Sequence, residues 1–173
     1  MESLEAYSIP FGGLKDGMHQ FDYQIDNEFF GHFSDTPITE GAFKINLDFD
    51  KKPDVIDVQI KFSGTVGAAC DRCLEQMKMP VSGEEQLLIK FSDDFKEEAE
   101  VVYLPVGTHI WNAAQYIYEF ICLAMPISKT HDLTEESTCD TTMLSYLERK
   151  ETKPEENQIW DQLKNIKLGT KEK

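Results

Sequence analysis

The run F-K-I-N-L-D-F-D alternates apolar and polar side chains without interruption. Phe43, Ile45, Leu47 and Phe49 fall on one face, and Lys44, Asn46 and Asp48 on the other. A period of two is that of a half-buried strand. K-K-P-D then supplies a turn-forming break, after which Ile56, Val58, Ile60 and Phe62 alternate with Asp57, Gln59 and Lys61. Two such runs across a short polar break predict an antiparallel hairpin. Shorter strand candidates run from Tyr7 to Phe11, Phe21 to Ile25, Met77 to Val81, Gln86 to Phe91 and Val101 to Leu104. Gly, Pro and acidic clusters such as S-D-D-F-K-E-E-A-E separate them. So many short strands predict a mostly antiparallel sheet that curls toward a barrel.

After residue 110 the period changes. W-N-A-A-Q-Y-I-Y-E-F-I-C-L-A-M-P places Ala113, Ile117, Phe120, Ile121 and Ala124 on one side of a helix, with Asn112 positioned to cap its start and Pro126 to stop it. Shorter helical segments are predicted around Thr141 to Arg149 and around Gln158 to Ile166, with E-T-K-P-E-E-N between them as a linker. The expected class is therefore α+β: a mostly antiparallel, barrel-like sheet with one amphipathic helix and short C-terminal helices. Residues 1–150 would form a single domain, and 151–173 a linker, a short terminal helix and a basic tail.

Charge narrows the choice of partner. The 173 residues carry 17 basic and 32 acidic side chains, a formal net charge of −15. Broad binding to phosphate backbones relies on Lys and Arg displacing counterions, so a body of this sign disfavours it and a basic partner fits better. Residues 148 to 173 are the exception, with seven basic and six acidic side chains. A local RNA contact there would use Lys164, Lys167, Lys171 and Lys173, although a solubilising lysine tail is the simpler reading. No apolar run approaches the roughly 20 residues of a membrane helix. The start M-E-S-L-E-A-Y has neither a basic n-region nor an apolar h-region, so a cytoplasmic location, where thiols stay reduced, is expected.

The chemistry worth weighing sits in V-G-A-A-C-D-R-C-L-E. Cys70 and Cys73 have the C-x-x-C spacing at which a tight turn lets two sulfurs converge on one tetrahedral metal ion. His131 and Cys139 lie in the Pro-, Thr- and Ser-rich segment after the predicted helix, and with Cys70 and Cys73 they would complete a Cys3His set. The alternatives are four unconnected residues or a redox dithiol. A redox pair calls for C-x-x-C at a helix start in a βαβ setting, whereas this pair follows an alternating antiparallel strand. Arg72 between the thiols would lower a neighbouring thiol pKa in either case. Cys122, beside Tyr118 and Glu119, reads as a structural thiol, and His19, His32 and His109 have no assigned role. Trp111 and Trp160 read as packing residues. No glycine-rich phosphate loop, G-x-S-x-G or H-E-x-x-H is present, and carboxylates such as Glu97, Glu98 and Glu100 occur as runs typical of solvated faces.

The order of pieces is informative in itself: a strand-rich first half, C-D-R-C-L-E, an acidic stretch, an amphipathic helix ending in L-A-M-P, a following His and Cys, and a closing N-Q-I-W-D-Q-L-K-N-I-K. From about Ala42 onward the chain resembles the YceD-type family of large ribosomal RNA subunit accumulation proteins. That resemblance implies a non-enzymatic ribosome-biogenesis role, supporting accumulation or processing of the large-subunit RNA through ribosomal proteins or precursors. It also implies a structural zinc on Cys70, Cys73, His131 and Cys139, although many relatives carry a denser second cysteine cluster where this chain has one. The competing function classes are a cytoplasmic metal- or thiol-dependent enzyme, for which a nucleophile, a base and an open metal position cannot all be named, and a general protein-interaction adaptor.

Overall fold

A computed structural model describes residues 4–93, 98, 100–134 and 138–147. Its centre is an open five-stranded sheet in the order β2-β3-β4-β5-β6, formed by Gly17–Ile25 (β2), Gly41–Lys51 (β3), Val55–Ala69 (β4), Gln76–Phe91 (β5) and Val101–Leu104 (β6). Strands β2 to β5 run antiparallel in sequence order. A two-residue strand at Ser8–Ile9 (β1) pairs separately with Trp111–Asn112 (β7), tying the N-terminal segment to the start of the main helix.

The predicted hairpin forms as expected, with Phe43, Ile45, Leu47 and Phe49 opposite Gly64, Phe62, Ile60 and Val58. Because the register is continuous, inward positions meet inward positions, with Phe43 over the side-chain-free Gly64, and the seven apolar residues make the buried core with Ile56, Leu87 and Ile89. Helix α2 (Ala114–Ala124) closes this face, burying Ala114, Ile117 and Ile121. The Asn112 side chain accepts from the Ala114 N–H at 2.8 Å, the capping contact expected of it, and the helix ends just before Met125 and Pro126. Phe29 and Phe30 of the short helix α1 (Asn27–Phe30) fill one end, and Trp111 packs near Phe49.

Several expectations change. The sheet is not closed into a barrel: β2 and β6 remain separate edges. Segments 77–81 and 86–91 are parts of one strand, because S-G-E-E continues the ladder opposite β4 rather than breaking it. Gly83 is tolerated there since it faces the Phe62 ring, which occupies the space a side chain would need. Strand β6 pairs parallel to β5, a direction that alternation cannot encode. The stretch from Tyr7 to Phe11 is strand only at Ser8–Ile9, flanked by 3-10 turns on either side of Pro10.

The opposite face of the sheet is polar and uncovered by any described element. Its side chains pair across strands: Gln20 with Asp48 at 2.8 Å, Asn46 with Asp22 at 2.7 Å, and Lys61 with Asp48 at 3.4 Å. A third helix, α3 (Thr141–Leu147), lies beyond α2 in sequence. The terminal helix, Trp160, the 151–157 linker and Lys164, Lys167, Lys171 and Lys173 lie outside the described residues. Among the described residues, no helix is long and apolar enough to cross a membrane.

Candidate metal centre

Strands β4 and β5 pair as far as Ala69 and Gln76, so the segment from Cys70 to Glu75 is the turn at the end of the longest hairpin. The turn is tight. Cys70 N–H donates to the Glu75 carbonyl and Leu74 N–H to the Cys70 carbonyl, both at 2.9 Å, while Arg72 N–H points at Cys70 Sγ at 3.4 Å. Leu74 takes a positive φ of 63°, which reverses the chain immediately after Cys73 and leaves both sulfurs on the inner side.

The segment after α2 is docked onto this turn by a reciprocal pair of bonds. Asp71 N–H donates to the Lys129 carbonyl at 2.7 Å, and Lys129 N–H donates to an Asp71 carboxylate oxygen at 2.6 Å. Two residues on, His131 begins a 3-10 turn and is buried. Cys139 is held from the other side, because Asp140 caps α3 by accepting from Thr142 N–H at 2.8 Å.

The four predicted ligands therefore meet. Their donor atoms all lie within 4.8 Å of one another. Cys70 Sγ is 3.7 Å from Cys139 Sγ, and His131 Nδ1 is 3.4 Å from both Cys73 Sγ and Cys139 Sγ. With metal–sulfur bonds of ~2.3 Å and metal–nitrogen bonds of ~2.0 Å, a tetrahedron has sulfur–sulfur edges of about 3.8 Å and sulfur–nitrogen edges of about 3.5 Å. The three pair distances fit those edges, and the donor set as a whole is compact enough to hold a metal ion.

The electrostatics of the thiols point the same way. Burial pushes the Cys70 thiol up, but the backbone N–H groups of Cys73, Arg72 and His131, with the Cys73 side chain, outweigh it and lower its pKa from 9.0 to about 6. Burial and then the neighbouring Cys70 and Cys73 push Cys139 to about 11. One thiolate thus forms readily, and its charge holds the proton on another. A bound cation would remove that conflict.

Packing separates this centre from the main core. Cys70, Cys73 and Met77 form a second buried cluster, against which Cys139 and Met143 pack. Two methionines are little apolar surface with which to order three chain segments.

Residues 58–167 match the family model described as Large ribosomal RNA subunit accumulation protein YceD. The chain belongs to that family. The match begins inside β4 rather than near Ala42, and all four donors fall within it. No curated protein and no solved structure matches the chain.

Among the residues the sequence singled out, Arg72 lowers a neighbouring thiol pKa as expected, through its backbone rather than its side chain. Its guanidinium pairs with Asp132 at 2.6 Å, and it is the Arg72 backbone N–H that favours the Cys70 thiolate. Cys122 stands apart on α2, half-buried against the main core, where burial raises its thiol pKa. His19 contacts the Lys15 carbonyl at 2.8 Å, and the His109 ring crowds Gly12. Neither belongs to the centre. Asp71, Asp140, Met77 and Met143 were not read from the sequence as parts of the site. An Asp next to a turn cysteine and an Asp before T-T are local signals for a turn and a helix cap that could have indicated the first two.

Proposed function

We propose that this protein is a non-enzymatic assembly factor of the large ribosomal subunit, whose long hairpin is braced by a structural zinc on Cys70, Cys73, His131 and Cys139. The observation that carries the zinc reading is the convergence of four protein donors from three separate segments to within 4.8 Å of one another. A complete protein donor set leaves no coordination position for water, which is the arrangement of a structural rather than a hydrolytic zinc. When bound, the ion would neutralise the thiolates and link the hairpin turn to the segments on either side of residues 131–139. Family membership supports the ribosomal role. The net charge of −15 and the polar outer sheet face favour a basic ribosomal protein or a protein-bearing precursor as the partner, with complementary charge raising the encounter rate.

Gradient sedimentation of native lysate tests the functional reading. The protein should migrate with large-subunit precursors, and its depletion should lower large-subunit RNA relative to small-subunit RNA. Persistence only at the top of the gradient, with unchanged RNA ratios, would reject it. Tight binding to purified large-subunit RNA at physiological salt, without any protein, would shift the reading from protein contacts to direct RNA recognition.

A further inference from the structure

The free edge of β2 is unusually open for a natural sheet. Over nine residues it pairs with β3 on one side, and among the described residues no strand lies on its other side. Among the described residues, none of the backbone hydrogen bonds outside the strand ladders involves residues 18–25. Sheet edges are ordinarily blunted by Lys, Pro, a bulge or very short length. G-M-H-Q-F-D-Y-Q-I contains neither Lys nor Pro, and its register against β3 is unbroken. The opposite edge, β6, is four residues long and is folded over by the Glu98–Val101 bridge.

Hollows adjoin the last part of β2 on both faces, those on the polar face extending inward over β3 and β4. On the polar face one of about 380 Å³ is lined by Asp22, Gln24, Lys44 and Lys61, and one of about 580 Å³ by Gln24, Asp26, Lys44 and Thr65. A third, of about 370 Å³, lies toward the core side between Tyr7, Phe29, Asp26 and Glu28. Gln24 borders all three. From Asp16 to Glu28 there are four carboxylates and no Lys or Arg. Of the two lysines that line the polar-face hollows, Lys61 is already paired with Asp48 and Glu84.

We infer that β2 is a docking edge for an extended, lysine- or arginine-rich peptide segment, which joins the sheet as a sixth strand. The added strand would satisfy the outward backbone groups of β2 and send alternate side chains to the two faces. Basic side chains on the core side would enter the third hollow beside Asp26. Those on the other face would lie along Asp22. This inference rests on the protein being a docking factor for basic ribosomal components, and it specifies where such a component would bind.

The test uses the full-length protein and an acetylated, amidated peptide of Lys-Lys-Val repeats, which presents lysine on both faces of an added strand, with the Glu-Glu-Val peptide as control. At low ionic strength the lysine peptide should bind, slow hydrogen exchange at every second amide of β2, and lose affinity as salt rises. Gln24→Lys restores an edge lysine at an exposed position and should weaken binding by about tenfold or more. No binding, binding without protection of β2, or equal affinity in Gln24→Lys would overturn the inference. A concentration-dependent dimer abolished by Gln24→Lys would assign the edge to a second copy of the chain and equally overturn it. Sedimentation of the wild-type protein keeps the two readings apart. Co-migration with precursors alongside failed peptide binding rejects the edge alone, whereas absence from precursors rejects the ribosomal role.

Discussion

Cys70 Sγ and Cys139 Sγ lie 3.7 Å apart across a sequence separation of 69 residues. Contacts of such long separation carry a loop-closure cost, and the apolar cluster around them is small, comprising Met77, Met143 and the thiols themselves. A shared metal ion would supply what the side chains alone do not. Apparent binding free energies of structural zinc sites reach ~10–16 kcal/mol near neutral pH, ample to hold three segments together.

Cys139→Ser therefore separates bracing from folding. Protein purified without chelator should contain about one equivalent of zinc, and the variant close to none. The main core of Phe49, Ile60, Leu87 and Ile117 does not include the centre, so far-UV dichroism should persist. Amides around residues 66–79 and 129–134 should exchange faster by hydrogen-exchange mass spectrometry. Full zinc occupancy in the variant, or unchanged protection at the turn, would contradict the bracing role.

Metal uptake should also release protons. Cys139, raised to about 11, is protonated at neutral pH in the metal-free protein, while Cys70, lowered to about 6, is largely ionised already. Coordination requires thiolates, so loading displaces the Cys139 proton at least. The sign for the metal-free fold follows from Cys70. Its depressed pKa contributes stability fully above about 9, and that contribution is lost as pH falls through about 6. Calorimetry of zinc binding in two buffers of different ionisation enthalpy should give different apparent heats, and apparent affinity should fall on acidification. Identical heats in both buffers would rule out the proton release.

Much of the sheet could be read from side-chain order, because an inward face with period two leaves a direct mark in Phe43 to Phe49 and Ile56 to Phe62. The direction of β6 and the continuity of β5 could not. The first depends on where the chain re-enters the sheet, and the second on Ser82 and Gly83 finding partners in Ser63 and Phe62. The four donors were identifiable by residue type, but their convergence was not. It depends on the Asp71–Lys129 bonds and the Asp140 cap, which act between segments distant in sequence. Barrel closure failed as an expectation because strand number alone does not determine whether the two edges meet.

Gly64 gives a stability test of that sheet. A Cβ placed there would run into the Ala42 carbonyl and the Phe43 backbone and ring, at the point where β3 and β4 approach each other. These neighbours include backbone, so the strand itself must move. Gly64→Ala should cost about 2–4 kcal/mol in urea unfolding. Gly13→Ala, where the added carbon meets nothing within 4 Å, should change stability by less than about 1 kcal/mol. Similar midpoints for the two variants would refute the crowding at Gly64.

Two carboxylates near the centre should differ in weight despite similar exposure. Asp132 pairs with Arg72 at 2.6 Å, but the two side chains remain 64% and 47% exposed. Such a pair is worth about 0–1 kcal/mol and is screened by salt. Asp71 instead accepts from the Lys129 backbone N–H while its own N–H donates to the Lys129 carbonyl, fixing the strand of chain that delivers His131. Outer contacts that orient a ligand typically change metal affinity by about 10–100-fold. Asp71→Ala should therefore weaken zinc in a chelator competition by about that factor, Asp71→Asn by less because its amide oxygen can still accept, and Asp132→Ala by under about threefold. Equal losses for Asp71→Ala and Asp132→Ala would mean that the centre responds to local negative charge rather than to the docking bonds.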